Sequence, residues 1–356
     1  MRSNVEKLSD INKLVEEYKL EAEQINRDQT LLAWEVTPFP KLQEIMTAKD
    51  PYEKLWNTAW QFYTSFEQWM NGPFQGLNAE AISDEVQNMW RTLHKLQKTL
   101  TDQVGPRRVA DMIKNRIDKF KVHIPLLQVI CNPGLKERHW DSMSQLVGLV
   151  LPHDSTASLS DLIELGLAKH VEKLDEIGGS ASKEYSLEKA MTKMKDEWNE
   201  MIFTFVKYRD TSAYILSAVD DIQLMLDDHI IKAQTMLGSP FIKPLEDDMR
   251  AWCERLTLLQ DIIDIWLKVQ AAWLYLEPIF SSDDIVNQMP EEGRKFATVD
   301  SHWKEIMTNA VKDAHVLIAT DQPGMLDKLR DGFHLLEEIQ KGLNNYLEKK
   351  RLFFPR

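Results

Sequence analysis

The stretch that most constrains this fold is Trp252–Phe280, WCERLTLLQDIIDIWLKVQAAWLYLEPIF. Apolar residues fall at Trp252, Leu256, Leu259, Ile263, Trp266 and Trp273, in steps of four and three. That is the period of one helix face. A second apolar row runs through Leu258, Ile262, Ile265, Val269, Ala272 and Leu276. Polar residues are mostly confined to a stripe of Glu254, Asp261, Asp264 and Lys268. A helix apolar over most of its circumference is buried between other helices. Its tryptophans make it a stiff central rod, so the predicted class is all-α.

The rest of the chain agrees. A length of 356 residues can bury a large core in one to three packed units. With 13 Gly and 14 Pro, tight turns are too few for a sheet-rich fold. Eleven tryptophans suit wide helix–helix seams filled by large rings. The net charge of −13 opposes nucleic acid and anionic membrane as direct partners, and no basic stripe with interleaved aromatics offsets it. Cys131 and Cys253 are too few for a disulfide framework and sit among apolar residues, as buried reduced thiols do. No run reaches the roughly 18–20 apolar residues of a membrane span. The polar start, MRSNVEKLSD, is not a signal peptide and reads as a cut inside a longer helix.

Periodicity and breakers divide the chain into three expected subdomains, residues 1–105, 106–240 and 241–356. Val5–Ile25 predicts an amphipathic helix with Leu8, Ile11, Val15, Tyr18 and Ala22 on one side. Asp50-Pro51 predicts a helix start, with Trp56, Trp60, Tyr63 and Phe66 or Trp69 inward. Ala81–Thr99 follows and is expected to end near Gly105-Pro106, before a helix over Val109–Val122. Further helices are expected over Lys136–Val150 and Asp161–Gly166, the latter capped by Ser158 or Ser160. Gly178-Gly179-Ser180 predicts a loop before a helix beyond Ser182. The one β signal lies near 201–217: Phe203 and Phe205 on one face, a polar turn at Arg209–Ser212, then Tyr214–Leu216. Such a hairpin must pack on helices to persist. Helix resumes over Val219–Leu237, and the final helix begins near Met325 with Leu326, Leu329, Phe333, Leu336, Leu343 and Leu347 on its seam. There is no repeat of fixed period.

Catalytic patterns are missing from this sequence. In Gly178-Gly179-Ser180-Ala181-Ser182-Lys183, serine stands where a phosphate loop needs glycine before the lysine, and Glu184 stands where it needs Ser or Thr. The acidic pairs Asp220-Asp221, Asp227-Asp228, Asp247-Asp248 and Asp283-Asp284 resemble the aspartate motifs of all-helical metal-diphosphate enzymes. Those motifs need carboxylates at i and i+4 around magnesium. Leu224 and Met225 follow the first pair and Ile231 and Lys232 the second, so solvated helix faces or caps are the better account. None of the nine histidines falls at metal-ligand spacing. His139, beside Trp140, reads as a hydrogen-bonded structural histidine. No catalytic, metal or cofactor site is expected.

Four segments carry a resemblance to the linker region of dynein heavy chains. They are Asn132-Pro133-Gly134-Leu135-Lys136-Glu137-Arg138-His139-Trp140, then Ala181–Trp198 with the hairpin and Ala218–Ile230, then Trp266–Met307, then Gly342–Arg356. WNTAWQFYTSFEQWMNGPF extends it toward the N-terminus. Within the third segment the motif positions are Trp266, Gln270, Trp273, Tyr275, Glu277, Pro278, Phe280, Pro290 and Trp303. In the last they are Lys349, Arg351 and Pro355, and the ending LEKKRLFFPR resembles axonemal more than cytoplasmic members.

The resemblance implies an elongated, arched multi-helix bundle with one small β-hairpin. It implies a lever that joins the tail of the heavy chain to an AAA+ ring, bends when the ring binds ATP and straightens as products leave. ATP and magnesium would be held by the ring and the microtubule by a stalk, both further along the family's chain, so this piece is expected to be a fragment without cofactor or direct microtubule contact. Its partners would be the ring and tail of the same chain and, indirectly, dynein complex subunits, in the cytoskeleton of a cilium or flagellum. Moving a two-position lever from 1:99 to 99:1 takes about 5.5 kcal/mol of differential contact. A few charge pairs and one apolar side chain supply that, so ring contacts would look like ordinary surface. Candidate bends lie at Gly238, Pro240 and Pro244 and between Pro278 and Gly293; each stretch also fits an ordinary interhelical turn. The rival readings are a static spectrin-like tether, which calls for a three-helix repeat, and a metal-diphosphate enzyme, which calls for the missing aspartate spacing.

Overall fold

The computed structural model describes residues 2–154 and 156–352. Among them the chain is all-α with a single two-stranded hairpin. It divides into two compact units, Met1–Lys183 and Glu184–Arg356.

The first unit holds α1 (Arg2–Leu31), α2 (Pro40–Asn71), α3 (Ala79–Thr99), α4 (Val104–Lys121), α5 (Ile124–Ile130), α6 (Glu137–Val147) and α7 (Leu159–Glu164). Its core is built from helical rows: Leu55, Ala59, Phe62 and Trp69 of α2, Val86, Met89, Leu93 and Leu96 of α3, and Ile113, Ile117 and Phe120 of α4. The inward row of α2 is therefore rotated one residue from the expected one. Trp56 and Trp60 are half-buried flanks and Tyr63 is exposed. The reason is close approach to α3: Leu55 and Ala59 allow it, where indoles would hold the helices apart.

In α1 only Val15 and Ala22 are buried, while Ile11 and Tyr18 face outward. Helix α1 packs mainly against α2, so the covered stripe is narrower than the apolar one. Ser158 caps α7, accepting from the Asp161 N–H at 3.2 Å while Asp161 returns a contact to the Ser158 N–H at 2.9 Å.

Three expected breaks are helical. Helix α2 starts at Pro40 and runs through Pro51, so Asp50-Pro51 is not its beginning. Gly105-Pro106 lies in the first turn of α4, where the missing proline N–H costs nothing. Gly178-Gly179-Ser180 is not a loop but part of α8 (Val171–Glu200). A Cβ on Gly178 would stand 3.4 Å from Val129 Cγ1, and the Gly178 carbonyl accepts from Asn132 at 2.8 Å. At that distance an added methyl would make ordinary van der Waals contact with α5, so neither packing nor a left-handed backbone requires glycine there.

The second unit is organised on α10 (Glu246–Phe280). Trp252, Leu256, Leu259, Ile263, Trp266 and Trp273 are all buried, and Glu254, Asp261, Asp264 and Lys268 are all exposed. The predicted rod and its polar stripe are both present. Leu258 departs from the second apolar row, being 38% exposed beside that stripe. Helices α9 (Asp220–Leu237) and α14 (Met325–Leu352) pack along α10, and α12 (Pro290–Lys312) packs on α14. The seam of α14 is Met325, Leu329, Gly332, Leu336, Ile339 and Leu343; it ends there, and Leu347 is exposed. Short α11 (Asp283–Gln288) and α13 (Val316–Ala319) complete the connections. Both cysteines are half-buried rather than fully buried, and burial pushes the Cys131 thiol up to about 12.

Trp266 is fully buried, and its indole N–H has no hydrogen-bond partner among the described residues. It therefore acts by volume alone. Trp266→Ala is expected to cost roughly 3–5 kcal/mol in denaturant unfolding of the chain. Trp266→Phe, which deletes the unpaired N–H and keeps an aromatic ring, is expected to cost clearly less. Equal losses in the two variants would contradict a pure packing role.

Candidate functional site

Family-motif residues converge where the hairpin meets α10. Strands β1 (Thr204–Lys207) and β2 (Tyr214–Ser217) are antiparallel, with Phe205 opposite Leu216 and Lys207 opposite Tyr214. Tyr208 closes the turn, its N–H donating to the Ala213 carbonyl at 2.9 Å, and Arg209 takes a positive φ of 51°. A two-stranded sheet leaves backbone groups unpaired on both edges. The structure satisfies one edge with a side chain. The Leu216 N–H donates to Gln270 Oε1 at 2.7 Å, and Gln270 Nε2 donates back to the Leu216 carbonyl at 3.0 Å. The glutamine amide thus pairs as a neighbouring strand would.

Two turns of helix along α10 the same face grips the hairpin tip. Tyr208 Oη donates to Glu277 Oε2 at 3.0 Å, and Arg209 Nη1 lies 3.7 Å from the same oxygen. Burial, then the bond to Glu277, raises the Tyr208 phenol above its ordinary value. Between these polar contacts lie the rings. Trp266 meets Phe203 edge-on at 5.5 Å, Tyr208 meets Trp273 edge-on at 5.1 Å, and Trp273 stacks on Trp303 of α12 at 5.6 Å. The Trp273 indole N–H donates to Asp300 Oδ1 at 3.1 Å, and Lys304 holds the other Asp300 oxygen at 2.6 Å. Ahead of β1, the Phe203 N–H donates to the Ala314 carbonyl at 2.8 Å and the Val316 N–H to the Met201 carbonyl at 2.9 Å. The hairpin is thereby fastened to α10, to α12 and to the segment that follows α12. These contacts fix the position of the hairpin on α10 and α12.

A second cluster surrounds the Asn132-Pro133-Gly134 turn in the first unit. Asn132 Oδ1 accepts from the Gly134 N–H at 2.9 Å, while its amide donates to the Gly178 carbonyl and to Ser182 Oγ at 2.7 Å. One side chain shapes the turn and ties it to α8. His139 is buried and accepts from the Lys136 N–H at 3.0 Å, the structural role expected of it. Trp140 is buried between Phe74, at 5.8 Å, and His153, stacked at 5.3 Å. His153 Nδ1 donates to the Leu151 carbonyl at 3.1 Å and Nε2 lies 3.1 Å from Glu137. Those acceptors, the Leu151 carbonyl first, raise the His153 pKa.

Other motif positions lie apart from both clusters. Tyr275, Pro278 and Arg138 are exposed, Phe280 is buried and stacks on Phe296 at 5.4 Å, and Pro290 opens α12. Lys349 and Arg351 are exposed in the last turn of α14, with Arg351 3.7 Å from Glu348. Pro355 lies outside the described residues. Of the candidate bends, Gly238 caps α9, Pro240 follows it, and Pro244 lies in a single 3-10 turn, Lys243–Leu245. Pro278 lies inside α10, and Gly293 inside α12 with its Cβ position 3.0 Å from Val286 Cγ1. The acidic pairs sit mainly in first helical turns: Asp220-Asp221 of α9, Asp247-Asp248 of α10 and Asp283-Asp284 of α11. Asp227 accepts from Gln260 at 2.9 Å and Asp228 pairs with Lys232 at 2.5 Å. No group of three or more His, Cys, Asp or Glu among the described residues is placed to hold a metal, and no described helix is long and apolar enough to cross a membrane.

The sequence matches the family described as dynein heavy chain, N-terminal region 2, across residues 42–356. The chain belongs to that family. It is 56% identical over 356 residues to dynein axonemal heavy chain 3 of Homo sapiens, covering all of this chain and 9% of that one. It is 42% identical over 364 residues to dynein axonemal heavy chain 12 of Rattus norvegicus, covering all of this chain and 12% of the relative. Dynein axonemal heavy chain 1 of Mus musculus is 37% identical over 331 residues, covering 93% of this chain and 8% of the relative. This heavy-chain segment thus spans about a tenth of the relatives it matches.

Sequence reasoning named Gln270, Trp273, Glu277 and Trp303 of this dynein segment and placed Leu216 in the hairpin, but missed Tyr208 and Asp300. No sequence signal marked Asp300, since buried indoles such as Trp266 and Trp303 stand here without an acceptor among the described residues. Gln270→Leu strands the N–H and carbonyl of Leu216 and is expected to cost about 1–3 kcal/mol. Amide exchange at Leu216 should accelerate with it, while exchange across α14 stays slow. For His153 the folded pKa is raised, so its stabilisation is full below the unfolded value and is lost as pH rises through the folded value. His153→Gln should therefore flatten the decline in stability on going from mildly acidic to mildly alkaline pH. An unchanged slope in thermal melts would remove His153 from that dependence.

Proposed function

We propose that this segment is the mechanical linker of a dynein heavy chain, carrying strain between an AAA+ ring and the tail during an ATP-driven, microtubule-based stroke. The observation that carries the reading is the family match across residues 42–356. The physical character of the second unit supports it. A lever must not yield along its length, and α10 is a single helix of 35 residues with one flank buried in aromatic and aliphatic seams. The hairpin clamped by Gln270 and Glu277 adds a cross-brace to that helix.

The names of the relatives support an axonemal setting, in a cilium or flagellum. ATP and magnesium belong in this reading to the ring of the complete heavy chain, and the segment itself holds no cofactor. Its partners are the ring and tail of its own chain.

The bend is assigned to the connection from Gly238 to Pro244, the non-α stretch between α9 and α10. Gly238 has a right-handed backbone, φ −75°, that alanine also adopts. In a complete heavy chain carrying this segment, replacing Gly238 and Ser239 by alanine should leave ring ATPase near the parent level and slow microtubule gliding. Gliding at the parent speed would reject this bend. Loss of ATPase and gliding together would point to a role in ring assembly, against the linker reading.

A further inference from the structure

A cleft between α2 and α4 in the first unit differs from the surface around it. Its floor is Phe62, Phe66, Ile113 and Phe120, with Met70 at one end, and its volume is 310 Å³. Phe66 meets Phe62 at 5.5 Å and Phe120 edge-on at 5.7 Å, so the floor is a continuous aromatic surface. Tyr63, 55% exposed, extends that surface up the α2 wall.

The opposite wall is basic. Arg116 and Lys119 stand exposed on the rim, and no residue lining the cleft is acidic. Helix α4 carries Arg107, Arg108, Lys114, Arg116, Lys119 and Lys121 against Asp111 and Asp118, in a chain of net charge −13. Two of these cations are engaged elsewhere: Lys114 and Lys121 lie over the Trp90 ring of α3 at 4.7 and 4.5 Å. Arg116 and Lys119 have no ion pair among the described residues. His123 also lines the cleft, and burial lowers its pKa, so the rim charge belongs to Arg116 and Lys119.

We propose that this cleft docks an acidic peptide segment of another protein, anchored by one large apolar side chain. A phenylalanine, leucine or methionine fits the aromatic floor, and carboxylates beside it meet the two rim cations. The combination of apolar anchor and polar rim is how short segments are held. A 310 Å³ opening takes one large side chain, as a short segment offers, and a second copy of this chain is an outcome the test below separates. Two rim cations on a strongly acidic chain also argue against nucleic acid, which binds by neutralising many phosphates. The proposal is independent of the linker reading: the cleft is built by α2 and α4 whatever the second unit does.

The test is selection of a random-peptide phage library on the 356-residue chain. Selected peptides are synthesised with a fluorescent label and titrated by anisotropy against the parent, R116E/K119E and Tyr63→Glu proteins. Circular dichroism melts check that both variants remain folded; all three positions are exposed. The expected result is enrichment of peptides with Asp or Glu flanking one aromatic or long aliphatic residue. Their affinity should drop roughly tenfold or more in R116E/K119E and fall in Tyr63→Glu. Binding should also weaken with added salt. Selection of no peptide, enrichment of basic or uncharged peptides, or equal affinity for parent and variants would overturn the proposal. So would sedimentation showing a dimer that R116E/K119E abolishes, which would give the cleft to a second copy.

Discussion

Burial of the indole row of α10 is the interaction on which the second unit depends. Trp266 and Trp273 are each no more than 1% exposed, and each reaches a different partner: Phe203 before the hairpin, and Trp303 of α12. Rings of this size fill wide interhelical gaps and lock only in a few orientations. The same helix therefore specifies where α9, α12 and α14 stand and offers a face on which two short strands can persist. Without that face the hairpin would be marginal in water.

Polar groups then decide register. Gln270 pairs with both backbone groups of Leu216, and Glu277 takes the Tyr208 hydroxyl. A hairpin slipped by one residue would present the wrong side chains to the rings and leave the amide of Gln270 unmatched. Elsewhere in the unit the Trp198 indole donates to His229 Nδ1 at 3.0 Å, and burial keeps that histidine's pKa low. His229 therefore carries its proton on Nε2, 3.3 Å from Glu197. These paired contacts specify orientation, while the buried indole N–H groups of Trp252, Trp266 and Trp303 stand without a partner among the described residues.

Much of this was legible in the residues. The apolar rows of α10 and α14, the polar stripe of α10, the Ser158 cap and the hairpin turn were all written in local period and turn chemistry. What misled was punctuation. Pro51, Gly105-Pro106 and Gly178-Gly179 read as breaks, and all three lie in helices. Local propensity costs of about 1 kcal/mol for glycine and about 3 for proline are smaller than the burial available to a long helix packed on its neighbours. The α1 stripe failed for the opposite reason: its apolar residues outnumber the neighbours that cover them.

The sequence by itself determined the helical class, the position of the hairpin and the family to which the chain belongs. Each is encoded in spacing along one chain or in motifs long enough to be specific. Only the tertiary structure decided that Gln270 faces Leu216, that Asp300 accepts a hydrogen bond from the Trp273 indole N–H, and that Arg116 and Lys119 border an aromatic cleft. Those pairings join residues from separate elements. Periodicity tells which face of a helix turns inward, but the partner it meets depends on how the other helices pack.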